Sequence, residues 1–365
     1  MIVSEFQAAV SGGREKYESI FESLSKATKA DERLRAVVLD GRFSWTRIRG
    51  LTGKREAGLR WLYWVSMPVL LVLAMWSIVK YVLYIMIIRP KDPARRALGP
   101  ERNLFLFDRA HWLLERTRNG VTSWTALAAI YASLLVVKTE RGLRKWLGWF
   151  WFSQPEAQAV RNRVLEVLDN TYGHLEKCWS RGEKNLQVVS LAAGSADATI
   201  MAVYFFLEQH PDARPGVKLF LVDINQDSLN MAEDQAWELG IDDLLVTYCE
   251  KISDFAARSE VRGNFHVVEM SGFLDYRGNR SFVSSCNSAC RVLRGDGLFI
   301  GAQIGPSPWS WVTRWITGWP GLIRRTPDEF RRLLSKTGLA KIQCRFHTEP
   351  HGVYTIAFCC EDQMP

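Results

Sequence analysis

Apolar and polar positions follow two different patterns along the chain. Residues 61–88, WLYWVSMPVLLVLAMWSIVKYVLYIMII, contain one charged side chain, Lys80, and residues 120–137 form a second, milder apolar run. About 20 consecutive apolar residues suffice for a helix to span the core of a bilayer. From residue 186 onward, short apolar runs alternate with segments of helical periodicity. The pattern therefore predicts an apolar helical region followed by a domain of strands and helices.

The second part of the chain is predicted to form a sheet covered by helices. A helix over 154–179, with Ser153 as its N-cap, precedes seven strands and five further helices. The strands are expected near 186–191, 217–223, 244–249, 264–270, 297–304, 340–347 and 352–360. The helices are expected near 196–209, 227–239, 251–259, 280–293 and 327–337, with Asp227 and Ser228 as the cap of the second.

The alternation of strands and helices favours a parallel sheet with helices on both faces. The end of the chain differs, because KIQCRFHTEPHGVYTIAFCCE contains two strands joined by a turn too short for a crossover helix. The last strand is therefore expected to run antiparallel to its predecessor.

The apolar run 61–88 is expected to associate with a membrane, and its topology stays open. Pro68 would kink a helix there, and Lys80 costs about 2–3 kcal/mol at mid-bilayer unless its side chain reaches the interface. Basic residues flank the run on both sides, so the positive-inside rule gives no orientation. They are Arg42, Arg47, Arg49, Lys54, Arg55 and Arg60 before it, and Arg89, Lys91, Arg95, Arg96 and Arg102 after it. A spanning, a re-entrant and an in-plane helix all fit, and the alternative is a buried helix of a soluble core.

Charge and length narrow the classes of function. The chain has 365 residues, a net charge of +8 and 47% hydrophobic residues, so it can hold a domain and a further module. Because the basic residues flank an apolar segment, they favour an anionic membrane surface over nucleic acid. Residues 120–137 are expected to pack on protein or to lie at the interface.

We divide the chain into a polar helical region, 1–55, an apolar membrane-associated region, 56–150, and a sheet domain, 151–365. The sheet domain is placed on the cytoplasmic side of the inner membrane. The seven cysteines show no CxxC spacing and are interpreted as reduced thiols of a cytosolic domain. The histidines do not pair with cysteines at ligand spacing, so no metal site is predicted.

The strand ends are expected to form the functional site, since open α/β sheets bind ligands beyond the carboxyl ends of their strands. The first strand runs into LAAGSA, where Ala192, Gly194 and Ala196 let a ligand approach the backbone. An ordinary strand–helix turn is the alternative. Asp223 ends the second strand, where a carboxylate can accept both hydroxyls of a ribose or simply cap the next helix.

The third and fourth strand ends carry further polar residues. Glu250 and Lys251 follow the third strand, where a polar group can meet an adenine edge or face solvent. Glu269 and Asp275 lie at and after the end of the fourth strand, where the reactive group of a cofactor would lie, and are the candidate catalytic residues. No Ser–His–Asp or Cys–His arrangement is evident, so covalent catalysis is not predicted.

The order of these motifs resembles that of class I S-adenosylmethionine-dependent methyltransferases. The resemblance rests on VVSLAAGSADATI, LFLVDINQDSL, FHVVEMSGFLDY, LRGDGLFIGAQI and the terminal hairpin, and covers about residues 154–361. With GWPGLIRRT, these segments look like a group of bacterial methyltransferases. The resemblance implies an α/β fold: a Rossmann-like seven-stranded sheet whose last strand is antiparallel, here preceded by the helical membrane-associated region.

The resemblance also implies a cofactor, S-adenosylmethionine. Gly194 would lie under its methionine part, Asp223 would bind its ribose, and Glu250 with Lys251 would lie near its adenine. The full set of implied cofactor-binding residues is Ala192, Ala193, Gly194, Ser195, Ala196, Asp223, Ile224, Glu250, Lys251 and Glu269.

The chain departs from the family pattern at two points. Ser190 stands where the family's first motif often begins with an acidic residue, and Ala192 and Ala196 replace glycines. Alanine is expected to fit these positions if its φ stays negative.

The acceptor side is expected after the fifth strand, in GPSPWSWVTRWITGWPGLIRRTPDEF. Trp311, Trp315 and Trp319 recur every four residues and share one face if the segment is helical. Arg314, Arg324 and Arg325 add charge. The pattern indicates either core packing or a lid over an amphipathic or acidic substrate.

Three functions remain in competition. We expect a membrane-associated methyltransferase with a hydrophobic or lipid-like acceptor, for which in-line alignment matters most and a base is needed only if the acceptor must lose a proton. The alternative is a catalytically silent, membrane-tethered cofactor-binding or scaffold protein on the same fold. A nicotinamide-dependent oxidoreductase is the weakest reading, because GxGxxG is absent.

Overall fold

The structure is a computed structural model that describes residues 124–308, 310–312, 319 and 321–361, together with positions 65, 67–72, 75, 76, 79 and 83. The predictions for residues 1–55, and for most of the run 61–88, lie outside the described residues. Within the described part of the chain, no helix combines the length and the apolar character that a bilayer crossing requires.

Helices and strands alternate from residue 124 to the end of the described chain. The helices are α1 (Trp124–Thr139), α2 (Gly142–Phe152), α3 (Pro155–Ser180), α4 (Asp197–Gln209), α5 (Gln226–Glu238), α6 (Ile252–Phe255), α7 (Asn279–Val292) and α8 (Pro327–Leu334), with a short helical turn at Ser310–Val312. The strands are β1 (Leu186–Leu191), β2 (Val217–Asp223), β3 (Leu245–Cys249), β4 (Phe265–Met270), β5 (Leu293–Ile304), β6 (Gln343–Thr348) and β7 (Tyr354–Cys360). Short 3-10 turns occupy Pro211–Gly216, Asp242–Leu244, Ser259–Val261, Leu274–Tyr276 and Gly338–Lys341.

The seven strands form one sheet in the order β3-β2-β1-β4-β5-β7-β6. β1 to β5 pair in parallel, whereas β7 runs antiparallel to both β5 and β6. The predicted antiparallel last strand is therefore confirmed. The strand order reverses between β1 and β4, so the ends of these strands border the crevice where open α/β sheets bind ligands.

The largest differences from the predicted bounds, about four residues, occur in two elements. β5 begins at Leu293 rather than near 297, because Leu293 already pairs with Phe265 before a shift of register at Val267. α6 ends at Phe255 rather than near 259, since the chain turns after Phe255 and forms the 3-10 turn Ser259–Val261.

Alternate strand residues bury against two helical layers, because successive side chains point to opposite faces of a sheet. In β1, Leu186 and Val188 join the hydrophobic cluster that contains residues of α3, α4 and α5. Val189 and Leu191 join the cluster that contains residues of α6, α7 and α8. Burial on both faces explains why the strand reads as a nearly continuous apolar run.

α1 and α2 pack against α3 and extend the first of these clusters. Ala129 of α1 is fully buried. Arg161 on α3 donates from Nη1 to Ser133 Oγ of α1 (3.2 Å) and from Nη2 to Phe152 O of α2 (2.8 Å). For residues 124–137, the expectation of packing on protein is confirmed.

Two helix starts differ from the predicted caps. The N-cap of α3 is Gln154 rather than Ser153, and Pro155 occupies the first helical position, where its missing N–H is not needed. The N-cap of α5 is Asn225 rather than Asp227 or its neighbour, because the Asn225 side chain accepts the N–H of Asp227 at 3.0 Å.

The interpretation of all seven cysteines as reduced thiols is wrong at one pair. Cys344 on β6 and Cys359 on β7 are register partners and form a disulfide with an S–S distance of 2.06 Å. Their pairing depends on the register of the hairpin, which the spacing of the residues alone does not reveal. The other five cysteines are outside this disulfide: Cys178, Cys249, Cys286, Cys290 and Cys360.

Candidate functional site

The turn after β1 adopts a left-handed backbone at alternate positions. φ is 55° at Ala192, 55° at Gly194 and 51° at Ala196, so the expectation that the alanines keep a negative φ is wrong. The Ala193 N–H donates to Val222 O of β2 (3.1 Å), and the Ala196 N–H closes back onto Ala193 O (2.8 Å). A turn this tight requires positive φ, which costs about 1–2 kcal/mol at each alanine.

Asp223 lies at the end of β2, directly beside this turn. Its Oδ2 accepts the N–H of Gly194 (2.9 Å), and its Oδ1 accepts the N–H of Asn225 (2.9 Å). An ionised carboxylate offers about four acceptor positions, so about two remain for a ligand. The reading of Asp223 as the cap of α5 does not apply, because Asn225 caps that helix.

Residues after β2 and β3 form one rim of the site. Glu250 is held by Arg258, which donates from Nε (3.0 Å) and from Nη2 (3.1 Å) to its carboxylate. Lys251 is exposed and precedes α6. Ile224 is 69% exposed and lines the cavity, so it offers a contact surface for a flat, apolar ligand group.

Glu269 lies at the end of β4 and is only 6% exposed. Its Oε2 accepts the Ser190 hydroxyl, and its Oε1 accepts the N–H of Ser271. Burial raises the pKa of this carboxyl group, against the opposing effects of both serines and of Arg163. Glu269 is therefore a buried acid whose charge is stabilised by hydrogen bonds rather than by a contacting cation.

Asp275, the second candidate catalytic residue, is fully engaged by the protein. Its Oδ1 accepts the N–H of Ile304 (2.6 Å) and the Gln303 Nε2 group (3.3 Å), and its Oδ2 accepts the Tyr354 hydroxyl (3.3 Å). Arg163 Nη1 lies 3.7 Å from the same Oδ2. Burial raises the pKa of Asp275, yet the arrangement ties the carboxylate into the scaffold. Its catalytic role stays a prediction.

Arg163 and Tyr131 belong to the site and were missed in the sequence. Arg163 lies on α3 with a side chain that is 4% exposed, stacks over the Tyr354 ring at 4.8 Å and donates from Nη2 to the Tyr131 hydroxyl (3.3 Å). Its Nε, which is buried, has no hydrogen-bond partner. The sequence feature that could have indicated Arg163 is its position between Val160 and Val164, on the buried face of an amphipathic helix.

The segment after β5 closes the other side of the site. Trp319 Nε1 donates to the Tyr276 hydroxyl at 2.7 Å, and burial raises the pKa of Tyr276 to about 12. Trp311 packs against the hydrophobic cluster of the α3 face. Trp315 and Arg314 lie outside the described residues, so the shared tryptophan face stays a prediction.

The two arginines that follow are both anchored. Arg324 donates to Glu156 Oε1 (2.8 Å) and to Gly305 O (3.0 Å). Arg325 is 4% exposed and donates from Nη1 to Gln303 Oε1 (2.7 Å). Both side chains therefore hold the segment onto the sheet and are not free to meet a substrate.

A cavity of about 830 Å³ unites these features. It is lined by all ten residues predicted to bind a cofactor and by Asp275. Helices and the segment after β5 add a largely apolar wall. This wall is formed by Leu127, Ile130, Trp151, Phe152, Val160 and Leu322. The cavity thus has a polar half at the strand ends and an apolar half under α1, α2 and α3.

Comparison with solved structures bears on the fold. The chain is similar to a possible exported protein from Bordetella parapertussis with a TM-score of 0.50 and 12% identity, covering 75% of this chain and 100% of that one. The order of the seven strands and the antiparallel direction of β7 identify the fold. The chain has the class I methyltransferase fold.

More distant matches include proteins named as methyltransferases. An O-methyltransferase family protein from Burkholderia thailandensis matches with a TM-score of 0.42 and 10% identity, over 66% of this chain and 73% of that one. Magnesium protoporphyrin IX methyltransferase from Synechocystis PCC 6803 matches with a TM-score of 0.40 and 13% identity, over 64% of this chain and 91% of that one. No family model and no curated protein match the chain.

In this methyltransferase fold the described residues contain no group of three or more His, Cys, Asp or Glu side chains placed to hold a metal ion. The acids of the cavity are instead separated. Asp223 lies at β2, Glu269 at β4, and Asp275 in the 3-10 turn that follows β4.

Proposed function

We propose that the protein is a methyltransferase that uses S-adenosylmethionine and acts on an apolar, lipid-like acceptor. The observation that carries the proposal is the hydrogen bond between the Gly194 N–H and Asp223 at the rim of the cavity. It joins the turn after β1 and the carboxylate of β2 in one nucleoside-sized recess.

The residues fit this cofactor in three respects. Gly194 leaves open space where a Cβ would stand, so a ligand can approach the backbone. Asp223 keeps acceptor positions for ribose hydroxyls. Glu269 offers a buried acid to a positively charged ligand. When bound, S-adenosylmethionine supplies an activated methyl group, and the chain's own residues bind, orient and exclude water.

The apolar half of the cavity supports a hydrophobic acceptor. Its wall belongs to α1, α2, α3 and Leu322 of the segment after β5, and ligand pockets of this composition bury most of a ligand's surface. Tyr276 keeps its proton at neutral pH because burial raises its pKa to about 12, so it orients rather than deprotonates an acceptor. Glu269 is the remaining candidate base if the acceptor must lose a proton.

Membrane association is part of the proposal. The described helical positions between 65 and 83 include an exposed apolar row whose spacing of three or four residues places it on one helix face. The row comprises Val65, Val69, Val72, Trp76, Val79 and Leu83. Basic residues on both sides of the segment match an anionic lipid surface.

The cytoplasmic placement of the sheet domain is also kept as a proposal. The Cys344–Cys359 disulfide is the observation that bears against it, because cytosolic thiols are normally kept reduced. Trapping the free thiols of intact cells by alkylation, followed by mass spectrometry, distinguishes a reduced from an oxidised pair.

The direct test uses methyl-labelled S-adenosylmethionine. The purified protein is incubated with lipid and small-molecule extracts, and labelled products are identified by mass spectrometry. Asp223→Ala is expected to abolish labelling, whereas Asp227→Ala, which removes an exposed acid four residues downstream, is expected to retain it. Equal labelling by the wild type and Asp223→Ala would contradict the ribose assignment.

A catalytically silent cofactor-binding protein is the second candidate. The observation that favours it is the pair of alanine methyl groups at Ala192 and Ala196, which narrow the turn under the proposed ligand. Cofactor binding by calorimetry, combined with no labelled product from any extract, would favour this candidate over the enzyme.

A further inference from the structure

Ser190 and Glu269 form a pair across two neighbouring strands. They are register partners in the parallel pairing of β1 with β4, so their side chains lie on the same face of the sheet. The Ser190 hydroxyl donates to Glu269 Oε2. Ser190 is fully buried, whereas Glu269 borders the cavity. The family pattern has an acid near the end of β1, where this chain has Ser190. An acid is nevertheless present beside that position, because Glu269 supplies one from the neighbouring strand β4.

Glu269 has no cation of its own. Among the residues that the structure describes, no Lys, Arg or His side chain forms an ion pair with its carboxylate. Arg163 is directed elsewhere, since its Nη1 faces Asp275 (3.7 Å) and its Nη2 faces Tyr131 (3.3 Å). A buried carboxylate without a counter-ion is costly, and a cation supplied by a ligand would remove that cost.

The other acids of the cavity do not offer the same opportunity. Asp275 is surrounded by the donors of Ile304, Gln303 and Tyr354. Asp197 also lacks a cation among the described residues, and its Oδ1 has no hydrogen-bond partner there, but it lies in the first turn of α4, where the helix dipole already stabilises its negative charge. Glu250 is bound by two nitrogens of Arg258.

The position of Glu269 relative to Asp223 identifies the ligand group. β1 lies between β2 and β4, so the two acids end strands on either side of the turn. Two strand spacings are roughly 10 Å. A ligand whose hydroxyl groups meet Asp223 therefore extends across the turn and presents its opposite end to Glu269.

We propose that Glu269, oriented by Ser190 and Ser271, binds the ammonium group of the amino-acid part of the cofactor in place of the acid missing from β1. The inference rests on the proposed function. It assigns Glu269 to recognition of the cofactor rather than to proton abstraction from the acceptor, and Ser190 to positioning of that carboxylate.

The test compares two ligands by calorimetry. S-adenosylhomocysteine carries the amino-acid part, whereas 5′-methylthioadenosine carries the same nucleoside without it. Glu269→Gln is expected to weaken binding of S-adenosylhomocysteine by tenfold or more and to leave binding of 5′-methylthioadenosine within twofold. Asp223→Ala is expected to weaken both ligands.

The outcomes distinguish failure of the proposed function from failure of the inference about Glu269. If the wild-type protein binds neither ligand, the proposed function fails. If the wild type binds both and Glu269→Gln weakens both equally, or weakens neither, the inference fails while the proposed function stands. Retained binding of 5′-methylthioadenosine also shows that the variant is folded.

A second variant moves the acid back to β1. Glu269→Ser is expected to lose affinity for S-adenosylhomocysteine, and the double variant Ser190→Asp/Glu269→Ser is expected to regain at least threefold of it. Because Ser190 and Glu269 are register partners on one face of the sheet, the carboxylate at position 190 lies next to the place that Glu269 occupies and can reach the cavity through the space that its removal leaves. A double variant that binds no more tightly than Glu269→Ser would overturn the equivalence of the two positions.

Discussion

At the scale of single residues, the turn after β1 stores backbone strain at the edge of the cavity. Ala192 and Ala196 both have positive φ, a conformation that glycine adopts without a steric penalty. A residue other than glycine keeps a positive φ only where the surrounding structure fixes its conformation. Here Ala193 and Ala196 are held by backbone hydrogen bonds, including one from Ala193 to β2.

Replacing either strained alanine by glycine is expected to stabilise the protein. Relief of the left-handed conformation contributes about 1–2 kcal/mol. Glycine has greater conformational freedom in the unfolded chain, and this offsets about 0.4–1 kcal/mol of that gain. Ala192→Gly and Ala196→Gly should therefore each raise the free energy of unfolding by about 0.5–1 kcal/mol, measured by urea denaturation.

The matched control for this prediction lies within the same turn. Ala193 is not among the residues with positive φ, so Ala193→Gly is expected to lower the free energy of unfolding by about 0.4–1 kcal/mol. Destabilisation by all three substitutions would contradict the strain described at Ala192 and Ala196.

Glu269 gives a prediction about pH. Burial holds its pKa above the ordinary value, so its contribution to stability is present at low pH and is lost as pH rises through the folded-state pKa. Glu269→Gln removes the group that ionises. At pH 8 the cofactor-free variant is therefore expected to melt at a higher temperature than the wild type, and at pH 5 the two melting temperatures should lie closer together. The comparison is a thermal melt of both proteins across this range.

Glu156→Gln serves as the contrast. Burial raises the pKa of Glu156 as well, but its side chain is 15% exposed and accepts Arg324 Nη2 at 2.8 Å, so its removal leaves a cation without its partner. The same substitution is therefore expected to lower the melting temperature. A lower melting temperature for Glu269→Gln at pH 8 would show that this carboxylate stabilises the empty site.

The part of the cavity at the strand ends was predictable because its residues follow strands directly. Gly194, Asp223 and Glu250 each lie within a few positions of a strand end, and the carboxyl ends of parallel strands meet at one edge. Arg163 and Tyr131 were not predictable, since they come from helices whose position over the cavity depends on tertiary packing. The left-handed alanines depend on hydrogen bonds to β2 that no local pattern displays.

At the scale of elements, the β6–β7 hairpin carries a covalent link at the edge of the sheet. Cys344 and Cys359 are separated by 15 residues and pair across adjacent strands. The sequence predicted both strands and their antiparallel arrangement, but the pairing of the cysteines required the register. β7 also lies beside β5, whose end borders the cavity at Ile304.

Breaking this link is expected to destabilise the protein. Closing a loop of this length contributes about 3 kcal/mol in the chain-entropy description, and measured effects are often smaller. Cys344→Ser/Cys359→Ser is expected to lower the free energy of unfolding by about 2–3 kcal/mol. A reducing agent should have the same effect on the wild type and none on the variant. Equal stability of the oxidised wild type and the variant would contradict a structural role for the pair.

At the scale of the whole molecule, the sheet domain and the apolar region share one hydrophobic cluster. Leu70, from the apolar run, is fully buried in the cluster that contains residues of α1, α3 and α4. Neighbouring positions of the same run are exposed. The described positions of this segment therefore include one that packs on protein and others that are exposed, which are the positions that the proposed membrane association uses.

Vesicle binding is the expected consequence. The protein should co-sediment with vesicles of phosphatidylcholine and phosphatidylglycerol more strongly than with phosphatidylcholine alone, and added salt should reduce the difference. Trp76→Glu, which places a charge on a side chain that is 52% exposed, is expected to weaken binding severalfold. Trp237→Glu, at a 67% exposed tryptophan on α5, is the control and should bind normally. Equal loss of vesicle binding by both variants would contradict binding through the exposed apolar row between positions 65 and 83.

Titration of S-adenosylhomocysteine into the wild-type protein and Asp223→Ala, followed by calorimetry, tests the central claim most directly. The account predicts saturable one-to-one binding by the wild type and at least tenfold weaker binding by the variant, because the ribose loses its charged acceptor. Absence of binding to the wild type, or equal affinity of the two proteins, would contradict it.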